Sequence, residues 1–264
     1  SAGRERAKAL REQIEEDGAR LGHRDEVEAD YQGIVQRQGD ALAQLDRQLA
    51  ELADACHGAG VPFVAKGILG PRGALKALEA GVDAIVAEGF EAGGHNGREE
   101  TTTLCLIPAV RRVTDLPLMA AGGIATGEGM LAAMALGAEG VQIGTLFALA
   151  EESSAHEAFK LHCLALDEGD TKLLLKKLSP TRLAAGAFRT AVEEAEAAGA
   201  DAETMSRLLG KGRAKKGIFE GDLEEGELEI GQASALLSDI RPVAEIMDDL
   251  IRGYRRAADK SYKL

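Results

Sequence analysis

The sequence is poor in the residues that bind nucleic acids and anionic membranes. It has no tryptophan and only 3% aromatic residues, which argues against base-stacking platforms and aromatic cages. Its 31 lysines and arginines are outnumbered by 44 aspartates and glutamates, for a net charge of −13. A surface that binds nucleic acid or anionic lipid needs the opposite sign, so we expect neither as a partner.

Cysteine is also scarce, and long apolar runs are missing. Cys56, Cys105 and Cys163 lie far apart without Cys-x-x-Cys spacing, which argues against a disulfide framework or a zinc site. No apolar run approaches the ~18 residues of a membrane span, and the charged start SAGRERAKALRE has no signal-peptide core. No set of Asp, Glu, His and Cys has convincing metal-site spacing. These features predict a cytoplasmic protein without a bound metal.

Glycine, by contrast, is abundant, at 32 of 264 residues, and much of it lies near short apolar runs. Four such runs predict buried strands: VPFVAKG (61–67), VDAIVAEG (82–89), LPLMAAGG (116–123) and GVQIG (140–144). Helices are predicted at 71–80, 102–113, 127–136 and just after Thr145. This alternation predicts an α/β fold with a parallel sheet of βα units, as in half of a (β/α) barrel.

The segments on either side of these units have helical patterns. Apolar or small positions from Tyr31 to Cys56 follow a 4/3 spacing, which predicts a helix with a coiled-coil-like stripe. The stripe either packs on its own domain or joins copies of the chain, and we expect a homo-oligomer. The residue pattern of the C-terminal region predicts helices at 155–166, 171–178, 180–198, 201–210, 233–237 and 241–258. The predicted domains are a helical segment (1–57), a βα half-barrel (58–150) and a helical region (151–264).

An acidic, turn-rich stretch lies in the C-terminal region, and a basic patch precedes it. The stretch is FEGDLEEGELEIGQ (219–232), and the patch consists of Lys211, Arg213, Lys215 and Lys216. Opposite charges so close in sequence predict a solvated surface. A contact with another subunit or with a charged substrate is the alternative.

Two Gly-rich loops follow the third and fourth predicted strands, where the ligands of parallel α/β folds collect. They are AAGGIATGEG (120–129) and QIGT (142–145), and each leads into the N-terminus of a helix. Glycines 122, 123 and 144 would let a phosphate approach the backbone, and the Thr145 hydroxyl adds a donor. The pair of loops predicts a phosphate cradle, with ordinary βα turns as the alternative.

The longest loop, EGFEAGGHNGREETTT (88–103), carries the most reactive side chains. His95 can titrate near neutral pH, and its place after a strand beside the cradle makes it a candidate catalytic base. Glu88 and Glu91 could orient this histidine or be solvated. A structural or solvated role for His95 is the alternative.

Two long segments of the chain resemble the nitronate monooxygenase family. They are VDAIVAEGFEAGGHNGREETTTL and LPLMAAGGIATGEGMLAAMALGAEGVQIGTLF, and the flavin-dependent enoyl-acyl-carrier-protein reductases share the same pattern. The resemblance continues through EESSAHEAFK to DIRPVAEIMDDL and covers about residues 80–264. It implies a TIM-barrel fold that binds FMN.

The resemblance also implies roles for individual residues. The residues that would hold FMN are Gly93, Gly94, Gly122, Gly123, Gln142, Gly144 and Thr145, the phosphate being held by the glycines at 122, 123 and 144 and by Thr145. His95, in the family's Ala-Gly-Gly-His motif, would lie over the flavin as a base or as a stabiliser of the substrate anion. The segment VPFVAKGILGPRGALKALEAGVDAIV is also similar to FMN-dependent hydroxy-acid oxidases, which adds Lys66 as a flavin contact. A charge at the barrel rim is the alternative for Lys66, and the Ser-Asn-His-Gly-Gly signature of those oxidases is absent.

The chain departs from the family in its first half. Family members begin with a strand carrying a Pro-x-x-x-Gly-Gly-Met type segment and continue with three more strands, none of which is evident in residues 1–57. Half a barrel leaves both sheet edges open. The N-terminal helices, a second copy or a rearranged sheet would have to cover them.

Three hypotheses for function follow. The first is an FMN-dependent oxidoreductase of the nitronate monooxygenase type, acting on a small molecule. The second is an FMN-dependent enoyl-thioester reductase that uses NAD(P)H. The third is a partial or remodelled barrel without catalytic activity.

Overall fold

The structure is a computed structural model that describes residue 48 and residues 51–260. The chain divides into two units, Ser1–Ala55 and Cys56–Leu264. Of the first unit, Gln48 and residues 51–55 are described, and they are helical. The stripe predicted from Tyr31 therefore lies mostly outside the described residues. The paragraphs below concern the second unit, in which no helix of the described part is long and apolar enough to cross a membrane.

A parallel four-stranded sheet forms the centre of this unit. Its strands are β1 (Val64–Ile68), β2 (Ala84–Glu88), β4 (Leu118–Ala121) and β5 (Gly140–Gln142), in the spatial order β1-β2-β4-β5. All four predicted strands are therefore confirmed, and so is the α/β fold of parallel βα units. No further strand pairs with the outer edges of β1 and β5 among the described residues, so the sheet does not close into a barrel there.

The register of the sheet brings the ends of its strands side by side. Glu88 is opposite Ala121, and Ala121 is opposite Gln142, so β2, β4 and β5 end at one level. The pairing of β1 with β2 is irregular between Ala65 and Ile68, and this bulge contains Lys66. The loops that follow the strands therefore leave from one edge of the sheet.

Three helices cover the sheet, as predicted: α1 (Pro71–Glu79), α2 (Thr103–Arg111) and α3 (Gly127–Ala135). Pro71 opens α1, where a missing N–H costs no hydrogen bond, and the Thr126 hydroxyl accepts from the Gly129 N–H to cap α3. Their apolar faces and the strands share one core, made of Ala74, Ile85, Leu106, Ile107, Val110, Leu118, Ala133 and neighbours.

A second, antiparallel sheet was not predicted. It consists of β3 (Gly94–His95), β6 (Thr171–Leu174) and β7 (Thr181–Ala184), in the order β3-β7-β6. The predictions of a helix at 171–178 and of a helix over the whole of 180–198 are therefore wrong. The sequence Thr-Arg-Leu-Ala of β7 has no strand-like alternation, but all four residues are buried, with β6 on one side and β3, far away in sequence, on the other. Tertiary pairing overrides the local preference.

The rest of the C-terminal region is helical. It comprises α4 (Thr145–Ala148), α5 (Glu157–Leu164), α6 (Ala187–Ala197), α7 (Ala202–Leu209), a π-helical turn (Lys215–Phe219), a 3₁₀ turn (Gln232–Leu236) and α8 (Val243–Ala258). The predictions of helices at 155–166, 201–210, 233–237 and 241–258 agree with these elements.

The basic patch and the acidic stretch pair with each other within the chain. Arg213 Nη1 lies 2.9 Å from a Glu225 carboxylate oxygen, and Lys215 Nζ lies 3.2 Å from one of Glu220. The Arg213 guanidinium also donates to the carbonyl oxygens of Leu208 and Leu209, at the end of α7. Arg213 therefore links two segments of the chain. The prediction of a solvated surface fits the neighbouring lysines better than it fits Arg213.

Candidate active site

An open cleft lies at the carboxyl ends of β1, β2, β4 and β5. It encloses about 770 Å³, its open mouth included, which is within the usual size range of ligand sites. Seven predicted site residues line it: Lys66, Gly93, Gly122, Gly123, Gln142, Gly144 and Thr145. The sheet register explains their convergence, because the loops after β2, β4 and β5 start at one level.

Gly122 and Gly123 are required by the fold itself. Both have positive φ angles, +94° and +71°, which favour glycine. A Cβ on Gly122 would lie 2.6 Å from the Gly89 carbonyl oxygen, and the Thr103 hydroxyl donates to the Gly122 carbonyl at 2.8 Å. These two glycines therefore shape the loop tightly, and their identity alone does not indicate a phosphate.

Gly144 is different, because no contact within the described part of the chain requires a glycine there. Its φ of −95° suits any residue, and a Cβ built on it would meet no atom within 4 Å. The missing side chain leaves open space in the cleft wall directly before the first turn of α4. Beside it, the Thr145 hydroxyl accepts from the Gly231 N–H at 3.1 Å, so its own proton can be donated to a ligand. This corner therefore has open space and a hydroxyl donor for an anionic group such as a phosphate.

Lys66 and Glu88 face the cleft from β1 and β2. Burial raises the pKa of the Glu88 carboxyl, and the positive charge of Lys66 opposes that rise. Lys66 itself is exposed. Its side chain brings a positive charge to the cleft lining. It lies on the side where β1 forms the edge of the sheet.

The far wall of the cleft comes from the end of the acidic stretch, which was predicted to be a solvated surface. The Gln232 N–H donates to the Glu91 carbonyl at 2.9 Å, and a Cβ on Gly93 would lie 2.5 Å from the Ile230 carbonyl carbon. Residues 228–233 therefore pack against the loop after β2. Gly231 packs equally closely, since its own Cβ would lie 2.7 Å from Thr145 Oγ1, but no pattern in the sequence indicates that contact.

Glu91 neither orients His95 nor lies free in solvent. Its two carboxylate oxygens accept from the Thr103 backbone N–H at 3.1 and 3.0 Å, and one of them lies 3.1 Å from the Thr103 hydroxyl oxygen. This is a cap on the first turn of α2, where a negative charge is favourable. Glu91 therefore fixes the loop after β2 to the helix that follows it.

Gly94 and His95 form β3 and pair with β7, and they do not line the cleft. His95 is exposed and borders a neighbouring cavity, whose other walls include Thr181, Arg213, Glu227 and Glu229. Glu229 also lines the cleft, so the two spaces share this one carboxylate. The catalytic role of His95 stays a prediction.

Arg182 and Asn96 hold the loop that carries His95. The Arg182 guanidinium, 2% exposed, donates to the Phe90 carbonyl at 3.1 and 2.7 Å and lies 4.9 Å from the centre of the Phe90 ring. The Asn96 side-chain amide donates to the carbonyl oxygens of Ala92 and Gly94. Sequence reasoning missed Arg182 because its segment was assigned to a helix.

Two carboxylates line the His95 cavity, the buried Glu227 and the half-buried Glu229. Burial raises the pKa of Glu227 to about 7, with a further rise from the negative charge of Glu229 and an opposing effect of Arg213. Burial also raises the pKa of Glu229, and His95 opposes that rise. The wall can therefore hold or release protons near neutral pH.

Comparisons with known proteins agree with this geometry. The family model described as nitronate monooxygenase matches residues 45–253. A protein of Staphylococcus aureus strain JH9, described as a probable nitronate monooxygenase, is 35% identical over 183 residues, which are 66% of this chain and 51% of that protein. The chain spans about a third to a half of the length of the curated relatives it matches.

Two solved structures are similar over most of the chain. FabK from Thermotoga maritima has a TM-score of 0.74 at 34% identity, covering 80% of this chain and 66% of that one. A nitroalkane oxidase from Streptomyces ansochromogenes has a TM-score of 0.65 at 28% identity, covering 79% and 62%. Since the family model matches well over half of the sequence, the chain belongs to the nitronate monooxygenase family.

Proposed function

We propose that this chain is an FMN-dependent oxidoreductase that oxidises alkyl nitronates with oxygen. The observation that carries the proposal is the corner at Gly144, where an absent side chain opens a space beside the Thr145 hydroxyl and opposite the Gly122–Gly123 loop. Neither the backbone angle nor the packing of the described residues explains that glycine. A bound phosphate does, because it needs close access to backbone N–H groups.

Each lining residue then has a role toward the cofactor. Gly122, Gly123 and Gly144 admit the phosphate to the backbone, and Thr145 donates its hydroxyl. Bound FMN supplies the redox chemistry, taking electrons from the substrate and passing them to oxygen. Gln142 and Gly93 contact the cofactor, as does Lys66, whose charge also attracts an anionic substrate. Gly94 does not line the cleft, and it carries the next residue, His95. His95 holds the nitronate anion or takes the α-proton of the neutral nitroalkane from which that anion forms.

The first experiment asks whether the purified chain binds FMN. We expect flavin absorbance bands, with FMN regained after stripping and reconstitution. The Cβ of Gly144→Ala enters the open corner and meets no described atom within 4 Å, so this variant should fold normally and bind FMN more weakly. Gly58→Ala is the matched control, since a Cβ there also meets nothing within 4 Å but lies outside the cleft lining. A colourless chain that no FMN restores contradicts the proposal and favours a barrel without activity.

The second experiment identifies the reaction. Anaerobic ethyl nitronate should bleach the flavin bands, and air should restore them. Bleaching by NADH, followed by reoxidation with an enoyl thioester, would instead indicate the enoyl-thioester reductase. His95→Ala should keep FMN and lose activity, and a fully active variant would refute the role proposed for His95.

We also propose that the chain acts in the cytoplasm as a homo-oligomer. The three cysteines are unpaired, in keeping with a reducing compartment. The open edge of β1 exposes Val61 and Val64, and such an edge favours pairing with another copy. A clean monomer in light scattering would contradict the association.

A further inference from the structure

The cavity next to the cofactor cleft has two carboxylates in its wall that the proposed function leaves without a role. Residues 227–230 are extended, because their backbone is paired with β7. Alternate residues of an extended segment face opposite sides. Leu228 and Ile230 pack in a hydrophobic core. Glu227 and Glu229 therefore face the other side, where both line the cavity.

These two carboxylates lack a partner for their charge. Within the described part of the chain, neither accepts a hydrogen bond or forms an ion pair. Glu227 is only 8% exposed, and Glu229 is half-buried. A buried carboxylate that has lost its water is stable in its ionised form only beside a compensating positive charge. The arrangement is therefore one that a bound cation would complete.

The positive groups already at the cavity do not supply that charge. The Arg213 guanidinium donates to the carbonyl oxygens of Leu208 and Leu209 and pairs with Glu225. His95 is exposed, so solvent screens its charge. A metal ion does not fit either, because no three His, Cys, Asp or Glu side chains of the described residues are grouped to hold one.

The rest of the cavity wall is mostly apolar. It includes Leu178, Leu209 and Ala214, and the cavity encloses about 580 Å³, its open mouth included. This volume is enough for a small organic molecule. An ammonium group offers three N–H donors, which suit two carboxylates, and aliphatic side chains suit an alkyl chain. Together these walls fit a molecule with a positively charged head and an apolar body.

We propose that this cavity is a binding site for the ammonium group of an alkylamine. The carboxylates of Glu227 and Glu229 hold the ammonium group, and the alkyl chain lies against Leu178 and Leu209. No covalent bond forms or breaks in this binding. The inference goes beyond the proposed function, because it requires neither a bound flavin nor turnover.

A pair of matched ligands tests the selection for charge. Binding of n-pentylammonium and of 1-pentanol to the full chain as purified is measured by saturation-transfer NMR at pH 8. Burial raises the pKa of Glu227 to about 7, so its carboxyl is mostly ionised at this pH. The amine is protonated, since alkylammonium groups have a pKa of about 10.4.

We expect 1-pentanol to bind roughly tenfold or more weakly, because hydrogen bonds between charged groups are stronger than those of a hydroxyl. The alcohol has the same chain without the charge, so the comparison isolates the ammonium group. If it binds as tightly as n-pentylammonium, the carboxylates do not select a cation and the inference is wrong.

Variants locate the binding. Glu227→Gln keeps the size of the side chain and removes its charge, so the affinity for n-pentylammonium should fall roughly tenfold while that for 1-pentanol stays within about twofold. Glu224→Gln removes an exposed charge from the same stretch and controls for the general attraction of a cation to a chain of net charge −13. Equal weakening in both variants would show that attraction alone, and would overturn the inference.

A second variant leaves both carboxylates in place. Ala214→Leu adds bulk to the cavity wall and should weaken the binding of both ligands. Unchanged binding would mean that the ligands lie elsewhere, against the inference. The proposed function is judged separately: a chain that binds n-pentylammonium but no FMN loses that function and keeps this site. A chain that binds FMN but no n-pentylammonium in the millimolar range refutes the site alone.

Discussion

The crossing of α3 with α8 is the feature of this fold most sensitive to a single methyl group. A Cβ built on Gly127 would lie 2.0 Å from the Tyr254 nitrogen and 2.4 Å from the Leu250 carbonyl oxygen. On the facing side, a Cβ on Gly253 would lie 3.2 Å from the Gly127 Cα. The two helices therefore touch backbone to backbone, and α3 is the helix that follows the Gly122–Gly123 loop.

The effect of Gly127→Ala can be estimated from these distances. Ordinary contacts begin at 3.4 Å, so α8 would have to move by about 1.4 Å in a tightly packed interior. Overpacking of this kind costs about 1–3 kcal/mol. Alanine regains up to about 1 kcal/mol of helix propensity, less at a first-turn position. We expect the free energy of unfolding to fall by about 1–2 kcal/mol.

Gly129→Ala is the matched control on the same helix. Its nearest neighbour, Thr126 Oγ1, is 3.5 Å from the added Cβ, which is an ordinary contact. This variant should gain about 0.5–1 kcal/mol, because alanine loses less backbone entropy than glycine. Urea unfolding followed by circular dichroism, with midpoint and slope fitted, measures both variants. If Gly127→Ala is as stable as Gly129→Ala, the backbone contact deduced here is wrong.

Two other predictions concern the buried groups near the site. Glu227 binds its proton more tightly in the folded chain, with a pKa of about 7 against 4.5, so stability should fall as the pH rises between those values. Glu227→Gln should flatten that dependence in urea unfolding at pH 5 and pH 8, and an equally steep profile would refute it. Arg182→Met leaves the Phe90 carbonyl without its donors, which should cost about 1–3 kcal/mol by the same measurement. A variant as stable as the wild type would show that the loop does not depend on Arg182.

The parallel sheet was predictable because its strands are nearly continuous apolar runs. Ile85, Val86 and Ala87 are all buried, and such a run has few alternatives to a central parallel strand. Gly-rich loops after strands then located most of the cleft lining. Local composition was sufficient to predict the strands and the loops, because both are recognisable within about ten residues of sequence.

The second sheet and the far wall of the cleft were not predictable in this way. Arg182 of β7 donates to the Phe90 carbonyl oxygen, some ninety positions earlier in the chain. No local sequence pattern encodes that contact. Glu229 stood within an acidic run, where a solvated charge is the ordinary interpretation. Its burial arises only when residues 228–233 fold back onto Glu91 and Thr145. Long-range contacts, not residue types, distinguish it from the acidic residues around it.

The open sheet bears on how tightly the site can hold a ligand. The corner proposed for the phosphate is closely built, because Gly122, Gly144, Thr145 and Gly231 line one cleft and Gly231 packs against Thr145. The opposite side is bounded by Lys66 on β1, an edge strand without a further neighbour among the described residues. An exposed lysine attracts an anion only weakly, since solvent and salt screen its charge. The chain should therefore bind the phosphate end of FMN more firmly than the end nearest β1, and riboflavin, which lacks the phosphate, should bind much more weakly than FMN.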